Sequence, residues 1–160
     1  MSATAPSSSE VRLRPADTND IEITHAWQCE PGARRYFRAP KAPDRSEHEA
    51  WFRQRLNRTE PALWIIERSG QPVGVVRLDP YGTAGGAQHE VSLLIATSQR
   101  GRGIGTQALE QLHAAFPDYH LVASIAPENK SSVASFTRAG FWQSAPGFYE
   151  SSPLSDGQTE

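Results

Sequence analysis

Residues 88–106 read QHEVSLLIATSQRGRGIGT and join an apolar strand to the start of a helix. Val91, Leu93 and Ile95 alternate along one face of the strand, and Leu94 makes the opposite face apolar as well. A strand with two apolar faces is typical of a sheet that is covered on both sides. We therefore predict that residues 88–96 form a central strand, and the rest of the fold is arranged around it.

The residues that follow have the pattern of an amphipathic helix. Ile104, Ala108, Leu112 and Phe116 recur at four-residue spacing until Pro117. This spacing places the four apolar side chains on one stripe of a helix of about three and a half turns. The stripe is expected to pack on the sheet.

The turn between strand and helix predicts an anion site. Gly101, Gly103 and Gly105 let a ligand approach the backbone closely, and the positive end of the helix dipole attracts negative charge. Arg100 and Arg102 add two positive charges. The plainer alternative is a glycine-rich turn that only begins the helix, and the two arginines favour the anion site.

The register of the glycines excludes two common phosphate-binding motifs. Thr106 stands where the dinucleotide fingerprint of Rossmann folds has its third glycine. The loop also lacks the Gly-Lys-Ser/Thr ending with which a P-loop reaches a terminal phosphate. A Rossmann dehydrogenase and a P-loop triphosphatase are therefore not expected.

The remaining patterns predict one mixed α/β layer. Helices are expected from Asp17 to the Pro31-Gly32 pair and from a capping box at Ser46 and Glu49. The other predicted elements are strands at 11–14, 62–68, 72–79, 121–125, 141–143 and 148–150 and a helix at 129–139, with Gly140 as its stop. We expect a single domain over residues 10–151, with flexible tails at residues 1–9 and 152–160.

Composition narrows the class of protein. The 160 residues carry 16 Lys and Arg against 18 Asp and Glu, a net charge of −2, which argues against a nucleic-acid partner held by bulk positive charge. A single cysteine, Cys29, fits a reducing compartment, and the N-terminus has no signal-peptide pattern, so we expect a cytoplasmic protein. No apolar run is long enough for a membrane span. His25 and Cys29 supply only two metal ligands, so no metal is expected.

Two blocks resemble the GCN5-related N-acetyltransferase (GNAT) superfamily. Residues 100–105 match its R/Q-x-x-G-x-G/A signature, and Asn129 and Ser132 followed by Phe136 and Gly140-Phe141 look like its N-x-x-S…F/Y-x-x-x-G-F block. The resemblance implies a twisted mixed sheet of six to seven strands with about four flanking helices. It also implies acetyl-CoA as co-substrate, direct acetyl transfer to a primary amine, and a monomer or homodimer.

The first half of the chain is similar to the pseudaminic-acid-pathway subgroup, which acetylates a nucleotide-linked aminosugar. The similarity lies in Trp27, residues 34–37, 49–52, 55–56 and 72–79. Ribosomal-protein N-terminal acetyltransferases share part of this layout. A small-molecule acceptor, a protein N-terminus and a non-catalytic acyl-CoA-binding regulator therefore remain as three interpretations.

The resemblance assigns the donor side of the site. It implies that Glu90 removes the amine proton through water, although a strand-end glutamate paired with an arginine is the plainer interpretation. Phe136 stands where the family usually has a proton-donating tyrosine, so we expect either that the thiolate leaves without a dedicated acid or that the hydroxyl of Ser135 or Ser132 orders a donor water. The implied cofactor-binding residues are Leu94, Ile95, Ala96, Arg100, Gly101, Arg102, Gly103, Ile104, Gly105, Thr106, Asn129, Ser132 and Phe136. Asn129 is equally expected to cap the last helix.

The acceptor side is predicted from charge and aromaticity. Arg34, Arg35, His48, Trp51 and Arg77 combine cations that suit a diphosphate with a ring that suits a sugar or base. An interior position for the aromatic residue and a solvated turn for the paired arginines are the plainer alternatives.

Overall fold

Seven strands and four α-helices make up the computed structural model, which describes residues 10–58, 60, 62–82 and 88–153. The strands are β1 (Val11–Pro15), β2 (Leu63–Arg68), β3 (Gln71–Pro80), β4 (Gln88–Ile95), β5 (His120–Ser124), β6 (Trp142–Ala145) and β7 (Phe148–Ser151). The helices are α1 (Ile21–Cys29), α2 (Arg45–Leu56), α3 (Ile104–Ala115) and α4 (Lys130–Arg138). Residues 1–9 and 154–160, most of the two predicted tails, lie outside the described part.

All seven strands belong to one mixed sheet, in the spatial order β1-β2-β3-β4-β5-β7-β6. Neighbouring strands are antiparallel except β4 and β5, which are parallel. β4 lies in the middle of the seven, as its two apolar faces predict. The predicted mixed α/β fold is thus confirmed.

The helices cover the two faces of the sheet. Ile104, Ala108 and Leu112 of α3 are buried against strand residues in the largest core cluster, as their spacing predicts. On the other face, Trp27 of α1 packs with Leu94 of β4, and Phe52 of α2 packs with Ile21 and Leu63. Val91 and Leu94 therefore point to opposite sides of β4.

The start of α2 differs from the prediction. The helix begins at Arg45, and Asp44 is its N-cap: its side chain accepts a hydrogen bond from the Glu47 amide at 2.8 Å. Glu47 in turn accepts one from the Asp44 amide. Ser46 already lies inside the helix, so the Ser46–Glu49 capping box is wrong. Two overlapping boxes are present in the sequence, and the extended backbone of Asp44 selects the earlier one.

No helix within the described ranges has the length and hydrophobicity of a membrane-spanning segment.

Candidate active site

The centre of the sheet contains a gap between β4 and β5. The two strands pair only from Gln88 to Glu90, opposite His120 to Val122. β4 continues to Ile95 along β3, whereas β5 turns away to pair with β7. Beyond Glu90 the edge of β4 therefore faces an opening instead of a strand.

The β4 edge offers backbone hydrogen-bonding groups to this opening. The Ala96 amide donates to Val73 O on the β3 side at 2.8 Å. Because successive residues of a strand alternate in direction, the N–H and C=O groups of Leu93 and Ile95 point toward the gap. Of the three strand residues predicted to bind the cofactor, Ile95 therefore faces the gap, whereas Leu94 faces β3 and the Ala96 amide already binds Val73 O. Leu93, which the sequence analysis did not single out, also faces the gap.

The turn after β4 has the conformation that its glycines predict. Gly101 and Gly103 have φ angles of 77° and 75°, which glycine adopts without strain, and a Cβ at either position would meet no atom within 4 Å. Gly103 caps α3, and the first helical bond there runs from the Gln107 amide to Gly103 O at 3.2 Å. The amides of residues 104–106 are thus available to an anion.

The two arginines of the turn differ in position. Arg102 is exposed beside the start of α3. Arg100 is exposed too, but its Nε donates to Ile95 O at 3.3 Å. Arg102 therefore supplies free positive charge, while Arg100 also ties the turn to the β4 edge.

Helix α4 closes the far side of the opening. A Cβ on Gly105 would lie 3.2 Å from both Leu93 Cδ2 and Ser135 Oγ, so α3, β4 and α4 pack closely here. Asn129 caps α4 by accepting from the Ser132 amide at 3.3 Å, which is the predicted capping role. Phe136 is 3% exposed and packs edge-on against Phe141 in the core. Its ring is therefore part of the main hydrophobic core, and the structure gives it almost no exposed surface for a cofactor.

Glu90 is the last β4 residue paired with β5, so its carboxylate lies where the strands separate. Ser124 Oγ donates to Glu90 Oε2 at 3.4 Å, and Arg38 Nη2 lies 3.8 Å from the same oxygen. The predicted arginine partner is therefore present. The arginine is almost fully exposed, so the contact leaves the carboxylate accessible to water.

Four arginines, which we call the arginine cluster, surround two carboxylates on this face: Arg38, Arg55, Arg58 and Arg77 lie around Asp79 and Glu90. Arg55 forms an ion pair with Asp79 Oδ1, and Arg58 Nη1 lies 3.5 Å from the same atom. Arg77 Nε is buried 2.8 Å from Asp79 Oδ2, without hydrogen-bond alignment, so this contact is an ion pair only. Asp79 faces Glu90 directly across the β3–β4 ladder.

Trp51 holds this cluster from the α2 side. The Arg55 and Arg77 guanidinium carbons lie 5.0 Å and 5.7 Å from the Trp51 ring centre, within cation–π range. Burial lowers the pKa of Arg55 below its ordinary value, and the neighbouring Arg58 and Arg77 lower it further, although Asp79 opposes them. The predicted acceptor residues Trp51 and Arg77 are thus brought together, and sequence reasoning missed Arg55, Arg58 and Asp79.

His48 lies away from the cleft, contrary to its predicted role. It is 2% exposed between α1 and α2, where its Nε2 contacts Thr24 Oγ1 at 2.9 Å and its Nδ1 contacts Gln28 Nε2 at 3.2 Å. Burial lowers the pKa of His48, and the charge of nearby His25 lowers it further. His48 is therefore a neutral structural residue that a substrate does not reach.

Arg34 and Arg35 act locally. Arg34 donates to Gln28 Oε1 at 2.6 Å and to Ala39 O at 2.7 and 3.0 Å, so it holds the segment after α1 in place. Arg35 is exposed, with its guanidinium 5.9 Å from the Tyr36 ring. Neither contact brings these arginines into the cluster around Asp79.

A shallow cavity of about 300 Å³ adjoins the arginine cluster, with which it shares Arg58, and is also lined by Glu60, Ala62, Leu78, Pro80, His89 and Tyr119. It opens near the start of β4, on the side where His89 stacks on Tyr119 at 3.9 Å. It contains neither the glycine turn nor the exposed β4 edge, so we place the site at the gap. Within the described ranges, no group of three or more His, Cys, Asp or Glu residues is arranged to hold a metal.

Comparison with known proteins agrees with this geometry. The family model described as an acetyltransferase (GNAT) domain matches residues 10–142. L-methionine sulfoximine/L-methionine sulfone acetyltransferases of Pseudomonas aeruginosa and Pseudomonas paraeruginosa are 30% identical to this chain over 105 residues, 61% of its length. The chain matches 60% of the length of these curated relatives.

Solved structures share the fold at low identity. A putative phosphinothricin N-acetyltransferase has a TM-score of 0.74 and 21% identity, covering 92% of this chain and 100% of that one. AAC(6')-Ib in complex with ribostamycin and coenzyme A has a TM-score of 0.75 and 17% identity, covering 89% and 93%. A domain from Methanocaldococcus jannaschii has a TM-score of 0.75 and 24% identity, covering 89% and 97%. These likenesses show the fold.

Proposed function

Because the chain belongs to the acetyltransferase (GNAT) domain family, we propose that it transfers the acetyl group of acetyl-CoA directly to the primary amine of a small molecule. The observation that supports this proposal is the opening at Glu90: a carboxylate and an exposed strand edge lie where β4 and β5 separate, and a glycine turn that begins a helix follows the same strand.

The donor is proposed to lie along β4. The amides of residues 104–106 and the charge of Arg102 suit the diphosphate of coenzyme A. The Leu93 and Ile95 backbone suits the amide-containing pantetheine arm, and a donor there would stabilise the oxyanion that forms at the thioester carbonyl. Ser132 and Asn129, at the start of α4, are proposed to contact the pantetheine arm as well.

The reaction needs a neutral amine, because an alkylammonium with a pKa of about 10.4 has no free lone pair. We propose that Glu90 accepts the amine proton through a water molecule. The amine nitrogen then bonds to the thioester carbon, the nitrogen gives up its second proton to water, the carbon–sulfur bond breaks, and the thiolate of coenzyme A leaves. Phe136 has no proton to give, so the thiolate takes one from water, for which Ser135 is the proposed hydroxyl partner.

The acceptor class is proposed from two directions. The similarity in the first half of the chain favours a nucleotide-linked aminosugar. The relatives are named for methionine sulfoximine and methionine sulfone, which favours an amino acid. Both are small primary amines, and both differ from a protein N-terminus.

The cellular location is a separate proposal. Cys29 is exposed and free, and an exposed thiol persists in a reducing compartment. We propose that the protein works in the cytoplasm.

The test is release of free coenzyme A. Purified protein is incubated with acetyl-CoA and, in turn, a nucleotide-linked aminosugar, an amino acid sulfone and a peptide with a free N-terminus. Steady release with a small amine supports the proposal. Release with the peptide alone supports N-terminal acetylation, and a tight acetyl-CoA complex that turns over with none of the three supports a non-catalytic regulator.

A further inference from the structure

We propose that the acceptor carries an anionic group, and that Arg58 and Arg77 bind this group beside the amine. The inference rests on the proposed function, because it concerns the acceptor of the same transfer. The chemistry is that of a carboxylate, phosphate or phosphinate, whichever molecule supplies it.

The proposed site has an excess of positive charge. The arginine cluster carries four positive charges around Asp79 and Glu90, which leaves 4 − 2 = 2 positive charges uncompensated. The whole chain has a net charge of −2, so this excess is local. A cleft of one sign concentrates ligands of the opposite sign.

Desolvation makes the excess costly in the free protein. Arg55 is only 12% exposed and the Nε of Arg77 is buried, so the two like charges repel each other in a partly desolvated setting. A bound anion would relieve this repulsion. The guanidinium groups that share Asp79 and remain partly exposed are therefore suited to a second, external anion.

Of the three arginines around Asp79, Arg58 and Arg77 are the ones that a ligand can reach. The side chain of Arg55 is only 12% exposed behind Trp51, whereas those of Arg58 and Arg77 are 42% and 35% exposed. Arg77 is also fixed in direction, since its Nη2 donates to Ser92 Oγ at 3.0 Å. A planar guanidinium held in this way can bind both oxygens of a carboxylate or phosphate.

The position fits a short acceptor. Arg77 lies opposite Ser92 and Asp79 lies opposite Glu90, so the arginine and the proposed base occupy adjacent steps of the same ladder on one face. Neighbouring pairs on a face are about 5–8 Å apart. An amino acid or an aminosugar phosphate spans such a distance between its amine and its anion. A polycation such as an aminoglycoside would be repelled, which separates this chain from the structural neighbour bound to ribostamycin.

Binding to the protein loaded with coenzyme A tests the proposal without turnover, because no acetyl group is present. The probes are two matched pairs, measured by calorimetry. L-methionine sulfone is compared with 3-(methylsulfonyl)propan-1-amine, which lacks only the carboxylate, and an aminosugar 1-phosphate is compared with the free aminosugar, which lacks only the phosphate. We expect the anionic member of one pair to bind at least tenfold tighter, and which pair does so identifies the source of the anion. Kanamycin is expected not to bind.

Two variants assign the preference to the cluster. Arg58→Gln and Arg77→Gln should each raise the dissociation constant of the anionic member roughly tenfold or more and leave that of the neutral member unchanged. Arg58 is the more exposed of the two, so its variant keeps the test valid if Arg77→Gln folds poorly. Arg53→Gln removes the same charge from α2, where Arg53 pairs with Glu49, and should change neither value.

The outcomes separate this inference from the proposed function. Equal binding of both members in both pairs, or an equal loss in Arg53→Gln, overturns the inference. Coenzyme A release with neutral amines or kanamycin as efficient as with anionic amines also overturns it, while the acetyltransferase proposal stands. Arg58-dependent binding of an anionic amine that acetyl-CoA never acetylates supports the inference and overturns the proposed function.

Discussion

Glu90 lies where β4 and β5 separate, and its carboxylate is the proposed acceptor of the amine proton. We predict that Glu90→Gln lowers kcat roughly 100-fold or more, because a carboxamide does not accept the amine proton. The loss should be largest at low pH, where little free amine is present. A pH–rate profile measured with saturating acetyl-CoA checks this.

Glu110→Gln serves as the matched control, since Glu110 is exposed on α3, away from the gap. It should reproduce the profile of the unaltered protein. If Glu90→Gln reproduces that profile as well, Glu90 is an arginine-paired surface residue and another group takes the proton.

Buried His48 makes stability depend on pH. Its pKa is lowered from 6.5 in the folded chain, so the unfolded chain takes up the proton more readily. The contribution of neutral His48 to the free energy of unfolding should therefore be complete above pH 6.5, and the free energy of unfolding should decrease as the pH falls below that value. Urea unfolding between pH 5 and 8 measures this slope.

His48→Gln should flatten the slope over this range even if it lowers stability at pH 8. His120→Gln, on a half-exposed strand residue, should leave the contribution of His48 in place. If the free energy of unfolding depends on pH in the same way in the unaltered protein and in His48→Gln, burial does not lower the pKa of His48.

For single residues, the sequence predicts the structure well where the interactions that fix a residue lie within a few positions along the chain. Gly101, Gly103 and Asn129 adopt their predicted backbone roles because turn and cap preferences act within a few residues. Arg55 and Arg58 were missed because only the packing of α2 on β3 brings them to Asp79. The same packing takes His48 out of the cleft.

The turn before α3 is the element that binds the donor in the proposal. Gly103→Ala places a side chain at a φ of 75°, which costs about 1 kcal/mol or more, and obstructs close approach of the diphosphate. We predict that the dissociation constant of acetyl-CoA rises at least tenfold, measured by calorimetry.

Gly70→Ala is the control for backbone strain. Gly70 has a φ of 79° in the β2–β3 turn, and a Cβ there also meets open space. It should lower stability to a similar degree and leave the affinity for acetyl-CoA unchanged. If Gly103→Ala binds acetyl-CoA as tightly as Gly70→Ala does, the turn before α3 is not part of the donor site.

Most elements were predicted to within one or two residues, because apolar periodicity and glycine or proline stops mark their ends, but α1 begins at Ile21, four residues after the predicted start at Asp17. β4 and α3 are the best examples, since both bury a continuous stripe. The gap beside β4 was not predictable from periodicity, because residues 91–95 have the same apolar pattern whether or not a strand pairs with them. The resemblance to a family implied only that the end of β4 binds the cofactor.

For the molecule as a whole, the sheet consists of β1–β4 and of β5–β7, which pair with each other over three residues. A donor that contacts β4, α3 and α4 would hold these parts together. We predict that acetyl-CoA at about 100 times its dissociation constant raises the melting temperature by roughly 5–10 °C, since that occupancy adds about 2.7 kcal/mol.

Acetyl-pantetheine is the control, because it lacks the diphosphate and the nucleotide. At the same concentration it should produce little shift. An equal shift with acetyl-pantetheine would mean that the turn before α3 contributes nothing to donor binding. The single domain over residues 10–151 remains a prediction.

The arginine cluster stands on a β3–β4 ladder that is continuous from Gly74 to Pro80. The backbone hydrogen bonds of this ladder form without the cluster side chains, so the exposed Arg38 and Arg58 contribute little to folding, whereas the more buried Arg55 and Arg77 are tied to Asp79. Exchange of the exposed cations would retune what the protein modifies while the architecture persists. A lineage of such proteins could thereby diversify its chemistry by substitutions at the rim of the cluster.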